Sequence, residues 1–478
     1  LGVNLTVNAK AVPIDKDLHQ ALPEAIQKIW DSLKPKGQAD IALTLKQNLP
    51  GKDDKLDYTL EISPKGMSLL YDGFPYPVDG VRGLITAKPG LVTLSKIECD
   101  SKYKLDGLVK ENGRILELKI NAKGVPLDKT LLAAMPAEFE TIMKNVKPGG
   151  TLDINVENLT ITHPKPSSGT TTRPTTRTKP AQPQWKVKGQ LGLHNTTLDF
   201  VMGVKKVNGK LDGNITQDSS GLAMNVDAVL DKIAIGAYEI TNVKGALAKK
   251  SGSPLVRIED LEARVYGGRL AGREVMIRFS DPMKYAFSLF YQNVDMGSLV
   301  NASVKNPKAR SEVKGLLEGK ISLEATVGDP KSRRAAGTVI ITKGKMYKMP
   351  IMLGLMHVLY LSLPTDSAFT DGHLKYFVQG EKMVMEEIFL TGSAMSLVGS
   401  GKMTMSDEKL DLTFLTGPPG KLPRIAVIRK ATKVLNSLLK ELLVIRITGT
   451  LSRPIRKAVP LRSIDGILKE LLSPGRNR

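Results

Sequence analysis

The chain has 478 residues, 41% of them hydrophobic but only 5% aromatic, and a formal net charge of +21. That length suits roughly three ordinary domains or one long repeat array, with apolar residues enough for a substantial core. A lone cysteine, Cys99, excludes an intrachain disulfide framework and leaves the compartment open.

Leu1, Val3, Leu5 and Val7 alternate with Gly2, Asn4 and Thr6, the period of a strand with one apolar and one wet face. The chain opens inside this pattern without a methionine. We therefore expect a fragment or processed form, with a signal peptide or anchor upstream. Asp15 then caps a short helical turn, and a second helix is expected from Pro23, with Ile26, Ile29, Trp30 and Leu33 along one face. Lys34-Pro35-Lys36-Gly37 stops it, and Ile41, Leu43 and Leu45 resume a strand.

This block returns. Val12-Pro13-Ile14-Asp15-Lys16 recurs as Val125-Pro126-Leu127-Asp128-Lys129, an offset of 113 residues held without a gap over 26 positions, to Gly37 and Gly150. Ile26 becomes Phe139, Ile29-Trp30 become Ile142-Met143, and Leu33 becomes Val146. Repeated units of this size stack when one alone cannot bury its apolar face.

Period-two alternation fills the rest: 56–62, 152–156, 222–228, 321–327 and 410–414. Asp72-Gly73, Asp79-Gly80, Asn112-Gly113, Asn208-Gly209, Asp212-Gly213 and Asp371-Gly372 are expected turns of an antiparallel meander. The Pro-, Thr- and Ser-rich segment 164–184 has four basic residues and no acid, and is expected as a disordered linker between 1–163 and 185–478. Beyond it, 238–265 loosely echoes 76–103. Further helices are expected at 350–363, from about 423 to 440, and at 462–472. The uncharged run from Met349 to Thr365 is short for a membrane span and holds two prolines, so a buried or interfacial helix is the preferred reading.

No catalytic constellation emerges. The five histidines are scattered, no metal-ligand spacing occurs, and no nucleophile elbow, phosphate loop or dinucleotide fingerprint is present. We expect no enzyme, no cofactor and no metal. Gly399-Ser400-Gly401-Lys402 is read as a turn. The last 58 residues carry 14 Lys+Arg against 3 Asp+Glu, a local net charge of +11. Arg424, Arg429, Lys430, Lys433 and Lys440 flank an apolar stripe. They suit an anionic membrane surface, or equally the solvated face of a helix packed on a sheet. Nucleic acid is not expected, because no aromatic platform interleaves the charge.

The sharpest signal is the order of elements near the C-terminus. Gly337 to Tyr347 reads as strand, Lys343-Gly344 turn, strand. The apolar helix follows, then Ala368-Phe369-Thr370-Asp371-Gly372 and strands with Phe377, Val378, Met383, Val384 and Met385. Leu390-Thr391-Gly392, Leu397 to Met403, Leu410-Asp411-Leu412, the basic helix and Val444 to Leu451 close the block. This order resembles the C-terminal region of AsmA-like proteins, the group of AsmA, TamB and YhdP in diderm bacteria. The resemblance is good over about 315–460 and looser over 185–314, at Val243-Lys244-Gly245 and Tyr266-Gly267-Gly268-Arg269-Leu270. The duplicated unit in 1–163 looks like that of the long members.

The resemblance implies a mainly β fold with a few amphipathic helices. It implies an elongated, strongly curved antiparallel sheet of repeated units whose concave face is an apolar groove. The corresponding segments are repeat units over 1–163, the linker 164–184, a groove segment 185–336, the family's C-terminal region 337–460, and a helical tail 461–478. It further implies a bridge-like lipid transport protein of the cell envelope. Such a protein carries phospholipid acyl chains between inner and outer membrane, with an inner-membrane anchor upstream and a periplasmic body. The alternative is an envelope assembly factor that binds outer-membrane proteins through exposed strand edges. Candidate groove residues are Val339, Ile341, Met346, Val378, Met383, Met385, Met403, Leu410, Leu412 and Phe414. Membrane-surface candidates are the five basic residues of the 423–440 helix. Residues alone leave a two-layer sandwich open, in which the same side chains are simply core.

Overall fold

A computed structural model describes residues 3–22, 24–47, 57–100, 102–135, 139, 146–165, 182–198, 204–304, 306, 310–345, 369–393, 395–417, 443–451 and 453–459. The fold is mainly β. Strands run antiparallel to their neighbours. Two compact units are present, one of residues 1–231 with 246–256, the other of 232–245 with 257–478.

The first unit contains β1 (Val3–Pro13), α1 (Lys16–Ala21), α2 (Glu24–Leu33), β2 (Gln38–Gln47), β3 (Asp57–Tyr71), β4 (Phe74–Lys88) and β5 (Leu91–Cys99). It continues through β6 (Tyr103–Lys110), β7 (Ile115–Pro126), α3 (Lys129–Ala134), β8 (Gly149–Thr162), β9 (Gln184–Leu198) and β10 (Val204–Asp218). Each of these strands pairs with the next in sequence, so the unit is a meander.

The 113-residue repeat is structural as well as textual. α1 and α3 occupy equivalent residues, and Asp15 and Asp128 cap them alike, each carboxylate accepting the backbone N–H three residues on. Val12↔Ala39 in the first copy matches Val125↔Leu152 in the second, and Ala9↔Ile41 matches Ala122↔Ile154. Each first strand carries a β-bulge at the same place, between these pairs.

Alternation directs one apolar face inward. Leu43, Leu60, Ala87, Val92, Val109, Leu116, Ile161 and Trp185 fall in one cross-strand row. α2 lies on that face, with Ile26 buried and Leu22 and Ile29 packed beside it against Tyr58, Leu60 and Val92. In the second copy Phe139, the counterpart of Ile26, stacks on Trp185 with ring centroids 6.0 Å apart. The repeat therefore supplies its own partial cover for the sheet.

The second unit contains β14 (Gly268–Arg278), β15 (Lys284–Asp295), α4 (Met296–Asn301), β16 (Lys314–Thr326), β17 (Asp329–Lys345), β18 (Asp371–Gln379) and β19 (Lys382–Thr391). It ends with β20 (Ser396–Thr404), β21 (Leu410–Gly417), β22 (Leu443–Gly449) and β23 (Pro454–Val459), again paired in sequence order. Three further strands, β11 (Gly221–Ile235), β12 (Tyr238–Lys249) and β13 (Leu255–Val265), complete the set.

Several sequence expectations are corrected. Asp79-Gly80, Asn208-Gly209 and Asp212-Gly213 lie inside strands, and Asp371-Gly372 opens one. Asn208 spends its side chain across the ladder, accepting from the Asn195 N–H at 2.9 Å, rather than closing a turn. At Gly213 a Cβ would lie 2.2 Å from the Asn225 carbonyl oxygen, so close backbone approach requires glycine there. Lys343-Gly344 lies within β17, and Gly399 to Lys402 lies within β20. β8 and β9 pair directly, up to Thr162↔Gln184, so the Pro/Thr-rich segment joins neighbouring strands of one compact unit. The expected helices at 350–363, 423–440 and 462–472, with the five basic candidates, lie outside the described residues, as do Pro23 and Met346.

Candidate functional site

The register of β15 to β22 assembles an apolar face row by row. Ala335, Val378, Met383, Met403 and Leu410 form one row; Gly337, Tyr376, Met385, Gly401, Leu412 and Ile447 form the next. Val339, Leu374, Ile388, Gly399, Phe414 and Ile445 form a third, and Ile341, Gly372, Leu390 and Leu397 a fourth. All nine described groove candidates therefore share one face, which follows from the period of two and antiparallel pairing.

Burial divides them. Val378, Leu410, Leu412 and Phe414 are buried, and Phe414, at 1% exposure, is fully enclosed with Ile445 and Ile447. Val339, Ile341, Met383, Met385 and Met403 are half-buried. Part of the cover comes from α4, whose Met296 and Leu299 join Leu317, Phe369 and Leu397 in the same cluster. The face is thus mostly core over β21–β22, while over β15–β20 buried positions such as Leu317, Val378 and Leu390 alternate with half-buried ones.

The same rows contain side chains that were not singled out from sequence. Tyr285, Phe287, Leu289 and Tyr291 of β15 pair with Ala325, Leu323, Ile321 and Gly319 of β16 on this face. Their alternation was legible by the rule applied to the other strands. With Tyr376 and Phe414 they bring aromatic rings to this face.

The large side chains lie over glycines. A Cβ at Gly319 would sit 2.8 Å from the Tyr291 hydroxyl, at Gly337 2.6 Å from the Tyr376 hydroxyl, and at Gly399 2.4 Å from a Phe414 ring carbon. Rings resting on strand glycines fill the missing side-chain volume and permit bending of the sheet. Tyr291 donates its hydroxyl to the Thr338 carbonyl oxygen at 3.1 Å, and burial pushes its pKa up to about 12. Burial also raises that of Tyr376.

Arg456 stands opposite Ile447, but the ion pairs of these strands lie on the other face. Lys375 pairs with Glu386 at 2.9 Å and Arg446 with Asp411 at 3.0 Å. In the first unit Lys65 pairs with Asp40 at 2.7 Å and Lys188 with Glu157 at 2.8 Å. The second face is not uniformly wet, however: Val398, Leu415 and Val444, paired in line, are buried too. There the one-faced expectation fails.

Among the described residues no group of His, Cys, Asp and Glu is arranged to hold a metal. No described helix is long and apolar enough to cross a membrane. What the face offers chemically is an apolar surface with the half-buried phenols of Tyr285, Tyr291 and Tyr376. Comparison with family models, curated proteins and solved structures finds no match.

Proposed function

We propose that this protein binds phospholipid acyl chains along its apolar sheet face and carries them between the two membranes of a diderm cell envelope. The observation that supports this reading most is the half-open part of the face. Val339, Ile341, Met383, Met385 and Met403 stand in register with Ile321, Leu323 and Leu374, yet keep part of their surface accessible. An acyl chain laid there recovers about 0.8 kcal/mol per buried methylene. Parallel rows of similar side chains let the chain move along without losing all of that at once. Unbranched Met side chains adapt to different acyl chains. The residue order over about 315–460, which resembles that of AsmA-like proteins, supports the same ligand class and a periplasmic body held at the inner membrane.

The test uses neighbouring residues on opposite faces. A photo-reactive amino acid at Ile321 or Met385 is expected to capture phospholipid in envelope preparations, and one at Lys320 is not. Equal yields at Ile321 and Lys320 would refute the reading. Capture of outer-membrane protein in place of lipid would support the assembly-factor alternative.

A further inference from the structure

We propose that Arg333 of β17 holds the phosphodiester of a phospholipid whose acyl chains lie on the adjoining apolar rows; this rests on the acyl-binding reading and adds the group that anchors the lipid. β17 pairs with β18 through Arg334↔Gln379 and Ala335↔Val378, and the Gly380 N–H continues the ladder to the Arg333 carbonyl oxygen at 2.7 Å. Arg333 is therefore still in paired strand, two residues from Ala335 and on the same face. Tyr285 lies on that face too, in line with Ile277 and Ala325. Burial raises the pKa of its phenol, and the positive charge of Arg333 beside it opposes the rise.

The next row inward is apolar over five strands: Phe287, Leu323, Ala335, Val378 and Met383. Val378 is buried and the other four are half-buried. The three rows beyond it carry no charge between β15 and β19. Arg333 stands at the rim of this surface, about 7 Å along the strand from Ala335. Its neighbour Arg334 points to the opposite face and meets Glu324 at 3.9 Å. Arg333 has no such counterpart. Among the described residues its guanidinium makes neither an ion pair nor a hydrogen bond, although the residue is half-buried.

A half-buried guanidinium without a partner favours an anion whose oxygens match its fork. The two unesterified oxygens of a phosphodiester do so. Four rows, two residues apart along each strand, give about 20 Å of apolar width, more than one acyl chain fills. A phospholipid carries both complements in one molecule: two acyl chains for the rows and a phosphate for the rim. Arginine can also lie along apolar surface for the sake of its methylenes alone, with its head in water. That arrangement needs no phosphate, and the two are separable by experiment.

Binding of the 478-residue chain in dodecylmaltoside micelles, to phosphatidylethanolamine and to diacylglycerol with the same acyl chains, tests the assignment. The variants are Arg333→Gln, Arg333→Lys and Arg334→Gln. Arg333→Gln is expected to weaken phosphatidylethanolamine binding at least about tenfold, Arg333→Lys by less, and Arg334→Gln by less than about twofold. Diacylglycerol, which has no phosphate, is expected to bind the unchanged chain and all three variants alike, which also shows that their apolar rows are folded. Equal phosphatidylethanolamine binding by the unchanged chain and Arg333→Gln would overturn the proposal, leave acyl binding standing and assign Arg333 to packing on the sheet. An equal loss in Arg334→Gln would overturn it in favour of an effect of net charge. Displacement of the lipid by inorganic phosphate would assign the site to a free anion instead. Binding of neither lipid by the unchanged chain would overturn the acyl-binding reading as well, so the two failures are distinct.

Discussion

Ala11 and Gly124 occupy one position in two copies of the repeat, and both have left-handed backbone, at φ 49° and 62°. Each donates its N–H to an aspartate on the neighbouring strand: Ala11 to Asp40 Oδ1 at 2.9 Å, Gly124 to Asp153 Oδ1 at 2.8 Å. Asp40 and Asp153 are themselves 113 residues apart. The device recurs: Lys96, at φ 49°, donates to Asp106, and Asn195, also at φ 49°, to Asn208. A residue bulged out of the ladder keeps its hydrogen bond through a side chain from the polar face. The strand bends at that point without stranding a backbone donor.

Ala11→Gly is expected to stabilise the chain by a few tenths of a kcal/mol to about 1 kcal/mol, because alanine resists left-handed backbone while glycine does not. The reciprocal Gly124→Ala is expected to destabilise by about 1 kcal/mol. A Cβ at Gly124 meets nothing within 4 Å, so backbone conformation is the whole of that cost. Urea unfolding of both variants checks the pair of opposite signs.

Acid stability follows from the same carboxylates. Asp153 titrates below the usual carboxylate range because it accepts the Gly124 N–H and, secondly, bonds His194. Asp40 is lowered by its bond to Lys65 and then by the Ala11 N–H. A folded pKa below the unfolded one gives stability that is present above about pH 4 and lost as pH falls through the folded value. The double variant Asp40→Asn, Asp153→Asn retains an oxygen acceptor for each bulge but cannot titrate. It is expected to show a flatter loss of melting temperature between pH 5 and pH 2, by thermal scans at about 0.5 unit intervals.

The alkaline side has the opposite sign. Tyr291 is raised from 10.0 to about 12, so its contribution is intact below pH 10 and lost as pH rises toward 12. Tyr291→Phe removes that dependence, along with the hydrogen bond to Thr338 worth about 1 kcal/mol. Melting scans from pH 8 to about pH 11 are expected to show a shallower decline in the variant.

Glycines beneath rings are expected to be intolerant. Gly399→Ala would set its Cβ 2.4 Å from Phe414 Cδ1 and 2.8 Å from the Thr413 carbonyl oxygen, and is expected to cost about 1–3 kcal/mol. Adding Phe414→Leu to Gly399→Ala relieves the ring contact. A double-mutant cycle is expected to show coupling of at least about 0.5 kcal/mol between the two positions.

Much of this architecture was legible in the sequence because a strand's faces follow from alternation alone. Val339, Met385 and Leu412, far apart in the chain, needed only antiparallel pairing to meet. The caps at Asp15 and Asp128 were legible because both the acid and the accepting geometry are local. The bulges were not. Ala11, Lys96 and Asn195 carry no mark of left-handed backbone, and the carboxylate or amide that captures each N–H belongs to another strand. Asn208-Gly209 misled for a related reason: its chemistry suits a turn, but the asparagine is used across the ladder and the glycine lies within β10. α4 escaped notice because six residues give too little periodicity, although Asp295 caps it through the Ser298 N–H at 2.7 Å. Burial of Leu412 and Phe414 was not legible either, since alternation names a face but not what covers it.

The central claim, that the half-open apolar face holds acyl chains, is tested most directly by photo-crosslinking at Met385 followed by mass spectrometry of the adduct. The account predicts a phospholipid adduct at Met385 and Ile321, reduced when Ile321→Asp breaks the apolar row, and none at Lys320. Absence of lipid at Met385 and Ile321 in a folded, envelope-derived protein would contradict it.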